Sequence, residues 1–428
     1  MLIRFEASNF RSIAEPVELS MVAIDRQRGA TREVPMLGES LLAVAAVYGP
    51  NASGKSNLIA AFSWLREAVQ HSLRIWDDEI PVEPFAFDGN LDAPSGFVVE
   101  STIDGVRFEY VLEANGERVL YEALFHYPEK KRRRIFEREG QELKLQRGLG
   151  NLSGTRELLT ERALALTIAR RFDEPMVSMF ARDLLRTQVL GYVPRRVRPA
   201  GGGYFRGGPP GTRATMRWFE ERDQPSLFNE RDYIAPGGGV DDRERALALL
   251  RLADLGIDDV VITPQDESSE TRTRSRVQLV HRAAGKRASL DFAAESEGTR
   301  TWFQLIGPVL TALSDGSLLL FDELDASLHP TLSAQLINLF HDPATNPQGA
   351  QLIFTSHDTS LLNHLNRDEV WLTEKTSGGS TRLGALAEFA GERVRQSQNL
   401  ERAYLHGRFG ALPDVDQAEF LRSLGLIG

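Results

Sequence analysis

Eight consecutive residues, Gly49-Pro50-Asn51-Ala52-Ser53-Gly54-Lys55-Ser56, follow the pattern G-x-x-x-x-G-K-[ST]. An apolar run precedes them and a helical pattern follows, which is the context that gives the spacing its physical meaning. Glycines let the backbone curl so that successive N–H groups converge on phosphate oxygens, and the helix start adds the positive end of its dipole. Lys55 then reaches the terminal phosphates and Ser56 offers a hydroxyl ligand to Mg²⁺. The alternative for the same letters is a glycine turn ahead of an ordinary helix.

Three more polar groups close or open apolar runs far downstream. Leu318-Leu319-Leu320-Phe321 reads as a buried strand ending in Asp322-Glu323. There Asp322 is placed to hold Mg²⁺ and Glu323 to polarise a water attacking phosphorus; the same pair also suits a turn or a helix cap. Ser296-Glu297-Gly298-Thr299 opens a helical pattern through Trp302, Leu305, Ile306, Val309, Leu310 and Leu313. Alone, Ser296 is an ordinary N-cap. His357, in Thr355-Ser356-His357-Asp358 after the strand pattern Gln351-Leu352-Ile353-Phe354, is by itself an ordinary strand-end histidine.

The elements that must position these groups can be read from periodicity. Strands are expected at residues 2–5, 9–13, 17–21 and 42–48, and a helix over 57–73. Residues 84–136 alternate as strands, with hairpin signals at Asp104-Gly105 and Asn115-Gly116. Helical spacing returns over 155–191. Glycine and proline crowd the stretch from Pro194 to Gly239, which predicts loops around one short helix near Trp218. A helix over 242–255, strands at 259–263 and 275–281 and a renewed α/β pattern complete the chain.

Composition narrows the chemistry. The 428 residues allow two or three domains, and the 42% apolar and 26% charged fractions are those of a globular chain. The absence of cysteine removes disulfides, thiolate metal sites and cysteine nucleophiles. A net charge of −10 argues against a surface that coats nucleic acid nonspecifically. Only six of the fifty cationic residues are lysines, so Lys55 stands out. No stretch has the length of a membrane span and the start lacks a signal-peptide plan, which sets a cytoplasmic protein as the expectation.

The order of motifs, from phosphate loop to Ser-x-Gly helix start, Asp-Glu strand, Leu324-Asp325-Ala326-Ser327 and then histidine, resembles the ATP-binding cassette (ABC) ATPases. Within them the chain is similar to the RecF/SMC-like branch, which typically opens with Asn-Phe-Arg-Ser, here Asn9 to Ser12. It looks closest to the AAA-labelled ATPases of prokaryotic anti-phage defence systems, relatives of the ATPase half of OLD-family nucleases. Tyr404-Leu405-His406-Gly407-Arg408-Phe409-Gly410-Ala411 resembles a stretch common at their C-terminal ends. The likeness covers about 1–115 and 250–412.

The resemblance implies an α/β fold: a P-loop NTPase of ABC/SMC-head type, a mixed sheet with flanking helices, interrupted by an inserted β-rich and helical accessory region. The lobes would be 1–125 and 251–428, with the insertion at 126–250. It implies ATP and Mg²⁺ as cofactors, and a homodimer in which Ser296 and Gly298 of one subunit touch the nucleotide held by Gly49 to Ser56 of the other. His357 would contact the γ-phosphate, Asp325 would sit at the subunit seam, Glu323 would time hydrolysis, and Arg11 and Asn57 would join the nucleotide contacts. The signature reads Ser-Glu-Gly-Thr where transporters have Ser-Gly-Gly-Gln, and Gln265 is one candidate for the glutamine loop. The expected partners are a second copy, or a higher assembly, and a separate effector protein, nuclease or toxin, because the stretch after His357 is short for a built-in nuclease. Nucleic acid is the other candidate partner, through Lys130-Lys131-Arg132-Arg133-Arg134 or Arg195-Arg196-Val197-Arg198. The alternative function is a DNA-repair ATPase that clamps DNA.

Overall fold

The computed structural model describes residues 1–25, 28–76, 78–87, 89, 91–172, 174–192, 210–220, 240–265, 274–390 and 400–405. Its centre is a six-stranded sheet in the order Gln188–Leu190, Leu318–Phe321, Gln351–Thr355, Val44–Tyr48, Val370–Lys375, Thr381–Ala385. Every pairing is parallel except the last, a hairpin. Val44–Tyr48, Leu318–Phe321 and Gln351–Thr355 are buried along their whole length. Such unbroken apolar runs are what a parallel sheet covered on both faces requires.

Alternation along Val44–Tyr48 feeds two cores. Ala45 and Val47 face the loop helix Lys55–Ile75 and, beyond it, a seven-stranded antiparallel sheet; Val44, Ala46 and Tyr48 face the signature helix Glu297–Asp315 and the helix Pro330–His341. The antiparallel sheet runs Glu142–Leu145, Arg133–Glu139, Val119–His126, Val106–Ala114, Ser95–Ile103, Leu2–Ser8, Val17–Ser20. Its hairpins turn where expected. Asp104 and Gly105 both have positive φ, and the Asn115 side chain accepts from the amides of Glu117 and Arg118.

Four expectations need correction. Residues 9–13 form a tight turn rather than a strand, closed by the Phe10–Ile13 bridge, with Asn9 and Arg11 at positive φ. The boundary after residue 125 falls inside the strand Val119–His126, because the antiparallel sheet continues to Leu145. Nor do the described residues of 126–250 share one core. The helix Pro175–Arg186 packs in the core with the loop helix, whereas Trp218, Phe219 and Leu250 share a core with the signature helix. Finally, the helical stretch to residue 191 ends in the strand Gln188–Leu190. Arg195–Arg198 and residues 406–411 lie outside the described residues. No helix among the described residues is long and apolar enough to cross a membrane.

A buried ion pair fixes the chain after the sheet. Glu122 and Arg138, both fully buried, stand 3.6 Å apart. The Glu122 carboxylate accepts from the amides of Ala165 and Leu166 and from the Tyr110 hydroxyl. Arg138 donates to the carbonyls of Gly140, Thr160 and Ala163. Burial pushes the Glu122 carboxyl up, against the pull of Arg138. Removing one partner strands a charge, so Arg138→Met is expected to destabilise the fold by about 3–5 kcal/mol, read as a lower denaturant midpoint; an unchanged midpoint would show the pair to be dispensable.

Candidate functional site

The phosphate loop leaves the strand Val44–Tyr48 at its C-terminal end and enters the helix Lys55–Ile75. Two of its glycines are demanded by geometry. Gly49 has φ 153° and Gly54 φ 104°. A Cβ on Gly49 would lie 2.3 Å from the Thr373 hydroxyl, and one on Gly54 would lie 2.0 Å from that of Thr381. Only glycine fits both the backbone angle at Gly54 and the close approach.

Hydroxyls hold the loop from outside. Thr373 Oγ1 donates to the Tyr48 carbonyl and pairs with Ser53 Oγ at 2.6 Å. Thr381 Oγ1 donates to the Ser53 carbonyl, and Ser12 Oγ meets both Thr381 Oγ1 and the Asn57 amide. The Asn57 side chain therefore serves the loop's scaffold. Arg11, next to Ser12, is turned away to a two-pronged contact with Glu83, and its guanidinium lies 5.8 Å from the Tyr192 ring.

Lys55 is buried and bends back over the loop, donating to the carbonyls of Gly49 and Pro50. Burial pushes its ammonium below the usual lysine range, while Asp322, Asp325 and Glu323 pull it back up. The three carboxylates that oppose the shift all follow the strand Leu318–Phe321. The loop and the acidic strand end thus lie at the same end of the parallel sheet, with the strand Gln351–Thr355 between them.

One threonine sets that acidic end. Thr355 Oγ1 donates to Asp322 Oδ1 at 2.7 Å and accepts from the Glu323 amide at 2.7 Å. Asp322 is buried; Glu323 is exposed, at φ 54°, a left-handed conformation uncommon for a residue with a Cβ. That turn sends the two adjacent carboxylates in different directions. Asp325 Oδ1 accepts from the His357 amide, and the exposed His357 is further braced by the Tyr48 hydroxyl, which donates to the Asp358 carbonyl. Tyr48, in turn, packs edge-on against Tyr404 of the helix Leu400–Leu405.

The signature residues stand at an exposed helix start. Ser296 caps the helix Glu297–Asp315, accepting from the Thr299 amide and pairing with the Thr299 hydroxyl; Ser296, Glu297 and Gly298 are all exposed. The structure thus brings together the phosphate loop, Asp322, Glu323, Asp325 and His357, and leaves Ser296 and Gly298 facing outward. Gln265 ends the strand Ile257–Gln265 of a separate three-stranded sheet, and its side chain lies outside the described residues. The strand beside Asp322 is instead Gln188–Leu190. The Asp322 amide donates to the Leu190 carbonyl, and a Cβ on Gly191 would lie 1.9 Å from the Asp322 carbonyl oxygen.

Residues 44–168 and 217–363 match the family described as "AAA domain, putative AbiEii toxin, Type IV TA system". The chain belongs to this family. The two matched segments contain the phosphate loop and the acidic strand end, and they leave out the stretch that ends at residue 216. Among curated proteins none matches. Solved structures similar to this member of the AAA-domain family include the SMC head domain from Thermotoga maritima, at 13% identity and TM-score 0.39, covering 90% of this chain and 98% of that one. An SMC head bound to the C-winged helix domain of ScpA matches at 13% identity and TM-score 0.43, with the same coverage. A third is an SMC head with an extended coiled coil bound to the C-terminal domain of ScpA from Pyrococcus furiosus, at 11% identity and TM-score 0.41, covering 90% and 97%. The phosphate loop between a buried parallel strand and a helix, in a mixed sheet with flanking helices, is the arrangement of a P-loop NTPase.

Proposed function

We propose that the chain binds ATP at Gly49–Ser56, hydrolyses it, and dimerises while ATP is bound. The observation that carries this reading is the phosphate loop, with buried Lys55 folded over its Gly49 and Pro50 carbonyls, set at the same sheet end as Asp322 and Glu323 with one strand between. A desolvated ammonium at a helix start is ready for a phosphate anion, and a carboxylate beside it is ready for the proton of an attacking water. Ser56 and Asp322 offer the donor set, one hydroxyl and one carboxylate, of a Mg²⁺ held jointly with nucleotide phosphates; that ion would supply charge neutralisation at the phosphates. The residues' own parts are separable. Lys55 binds phosphate, Glu323 accepts the proton, and Asp325 with Tyr48 aims the loop bearing His357.

The outward signature supports the dimer. Ser296 and Gly298 begin a helix whose positive dipole end is exposed, and the γ-phosphate of a second subunit's nucleotide would complete that anion site. Light scattering with and without ATP tests it. The mass is expected to double with ATP and to fall back as ADP forms; a monomer under both conditions overturns the gating.

The wider role we assign is a cytoplasmic sensor or scaffold in an anti-phage defence system, controlling a separate effector protein. The family description, which names a toxin of a toxin–antitoxin system, supports that setting. A protein effector is favoured over DNA by what surrounds the basic run. Arg132 lies over the Phe125 ring and pairs with Glu109, and Arg134 pairs with Glu137. Two of the five cations are thereby neutralised by the sheet that carries them. The DNA-clamp reading then rests on Lys130, Lys131 and Arg133 and on Arg195, Arg196 and Arg198, which lie outside the described residues.

A further inference from the structure

The sheet order divides the space around the phosphate loop. Asp322, Glu323 and His357 stand at the ends of strands on one side of Val44–Tyr48; Val370–Lys375 and Thr381–Ala385 lie on the other. A nucleotide whose phosphates rest on the loop and whose γ-phosphate points to Glu323 would carry its base toward the second side. There the turn from Thr376 to Ser380 joins the two strands, closed by the Thr376 amide on the Ser380 carbonyl and the Gly379 amide on the Thr376 carbonyl. Thr381, the next residue, touches the loop at Ser53 and Gly54.

Against that turn lies a largely exposed aromatic ring. Phe87 is 60% exposed, and its Cε2 would be 3.7 Å from a Cβ on Gly379. The ring is anchored from beneath by buried Phe85, edge-on at 5.4 Å, whose amide donates to Asn9 Oδ1. Asn9 opens the same turn that contributes Ser12 to the loop's scaffold. Two independent tethers therefore hold an open aromatic face on the base side of the phosphate loop. Exposing such a ring costs solvation energy that burial would recover, and a flat π-system is its natural partner.

We propose that Phe87 is the base-stacking residue of the nucleotide site, binding the purine ring through its face. Stacking reads the face of the base and not its hydrogen-bonding edges, so Phe87 contributes affinity while discriminating weakly between adenine and guanine. The proposal rests on the nucleotide-binding reading above. Its test is calorimetric titration of ADP, GDP and inorganic triphosphate into the wild type, Phe87→Ala, Phe87→Trp and Lys55→Ala.

Phe87→Ala is expected to weaken ADP and GDP about tenfold, which corresponds to about 1.4 kcal/mol, and to leave triphosphate affinity unchanged. Phe87→Trp is expected to retain ADP affinity, with its fluorescence quenched on binding. ADP affinity unchanged in Phe87→Ala, with Lys55→Ala impaired, overturns the stacking role alone. Failure of the wild type to bind ADP overturns this role together with the nucleotide reading. Equal loss of ADP and triphosphate in Phe87→Ala marks a general disturbance of the loop and likewise overturns it.

Discussion

Glu323→Gln is expected to lower the rate of ATP hydrolysis by roughly 10²–10⁴-fold while leaving ATP affinity within a few-fold of the wild type. The glutamine side chain keeps the shape and one acceptor of the carboxylate but cannot take a proton from water. The residue is exposed and the bonds it makes to the scaffold are through its backbone, the amide donating to Thr355 Oγ1 and the carbonyl accepting from the Ala326 amide. The substitution therefore separates chemistry from folding. With binding intact and turnover blocked, the ATP-bound dimer should accumulate. Phosphate release and size-exclusion profiles in ATP read the two halves, and equal turnover in both proteins would remove Glu323 from the role of base. Whatever co-purifies with the trapped dimer, a second protein or nucleic acid, distinguishes the effector reading from the DNA clamp.

Lys55→Ala should act one step earlier, at binding. The ammonium is buried and drawn over the loop by the Gly49 and Pro50 carbonyls, and Asp322, Asp325 and Glu323 act on it electrostatically. Without it, an entering triphosphate would face Asp322, Glu323 and Asp325 with no compensating charge nearby. A loss of at least about 100-fold in ATP affinity is expected, equivalent to about 2.8 kcal/mol. Lys55→Arg should not restore it, because a planar fork cannot sit as a point charge among two carbonyls and a phosphate. Titration of a fluorescent nucleotide measures both variants, and unchanged affinity in Lys55→Ala would sink the phosphate-loop assignment.

The phosphate loop and the Asp-Glu strand end were legible because each is contiguous in sequence, with its physical reason written in adjacent residues. The hydroxyl network was not. Ser12, Thr373 and Thr381 meet the loop from more than forty positions away at the nearest, and a threonine in a strand carries no periodic signal of the bond it will make. Thr355 lay within a motif already noted for His357, yet its bridging of Asp322 and Glu323 depends on two parallel strands coming into register.

The misread boundary after residue 125 has a local cause. The turn that follows the strand Val119–His126 is made by Glu129 and Lys130, at φ 53° and 61°, where glycine or asparagine would have announced it. The alternation read to residue 136 stopped short of Arg138, an inward residue of the strand Arg133–Glu139 that is charged. The strand Gln188–Leu190 was missed because three residues are too few for a period, and its place is dictated by the edge it covers.

That short strand bears on how this protein can be cut down. Leu318–Phe321 has Gln351–Thr355 on one side and only Gln188–Leu190 on the other. A trimmed chain joining the antiparallel sheet directly to residue 257 would bare the backbone edge of three apolar residues, Leu319, Leu320 and Phe321, a ready template for strand-to-strand aggregation. It would also free the peptide of Asp322 from Leu190. The middle of this chain is thus the seal on its central sheet, and any shortened form that stays in solution has to keep residues 188–191.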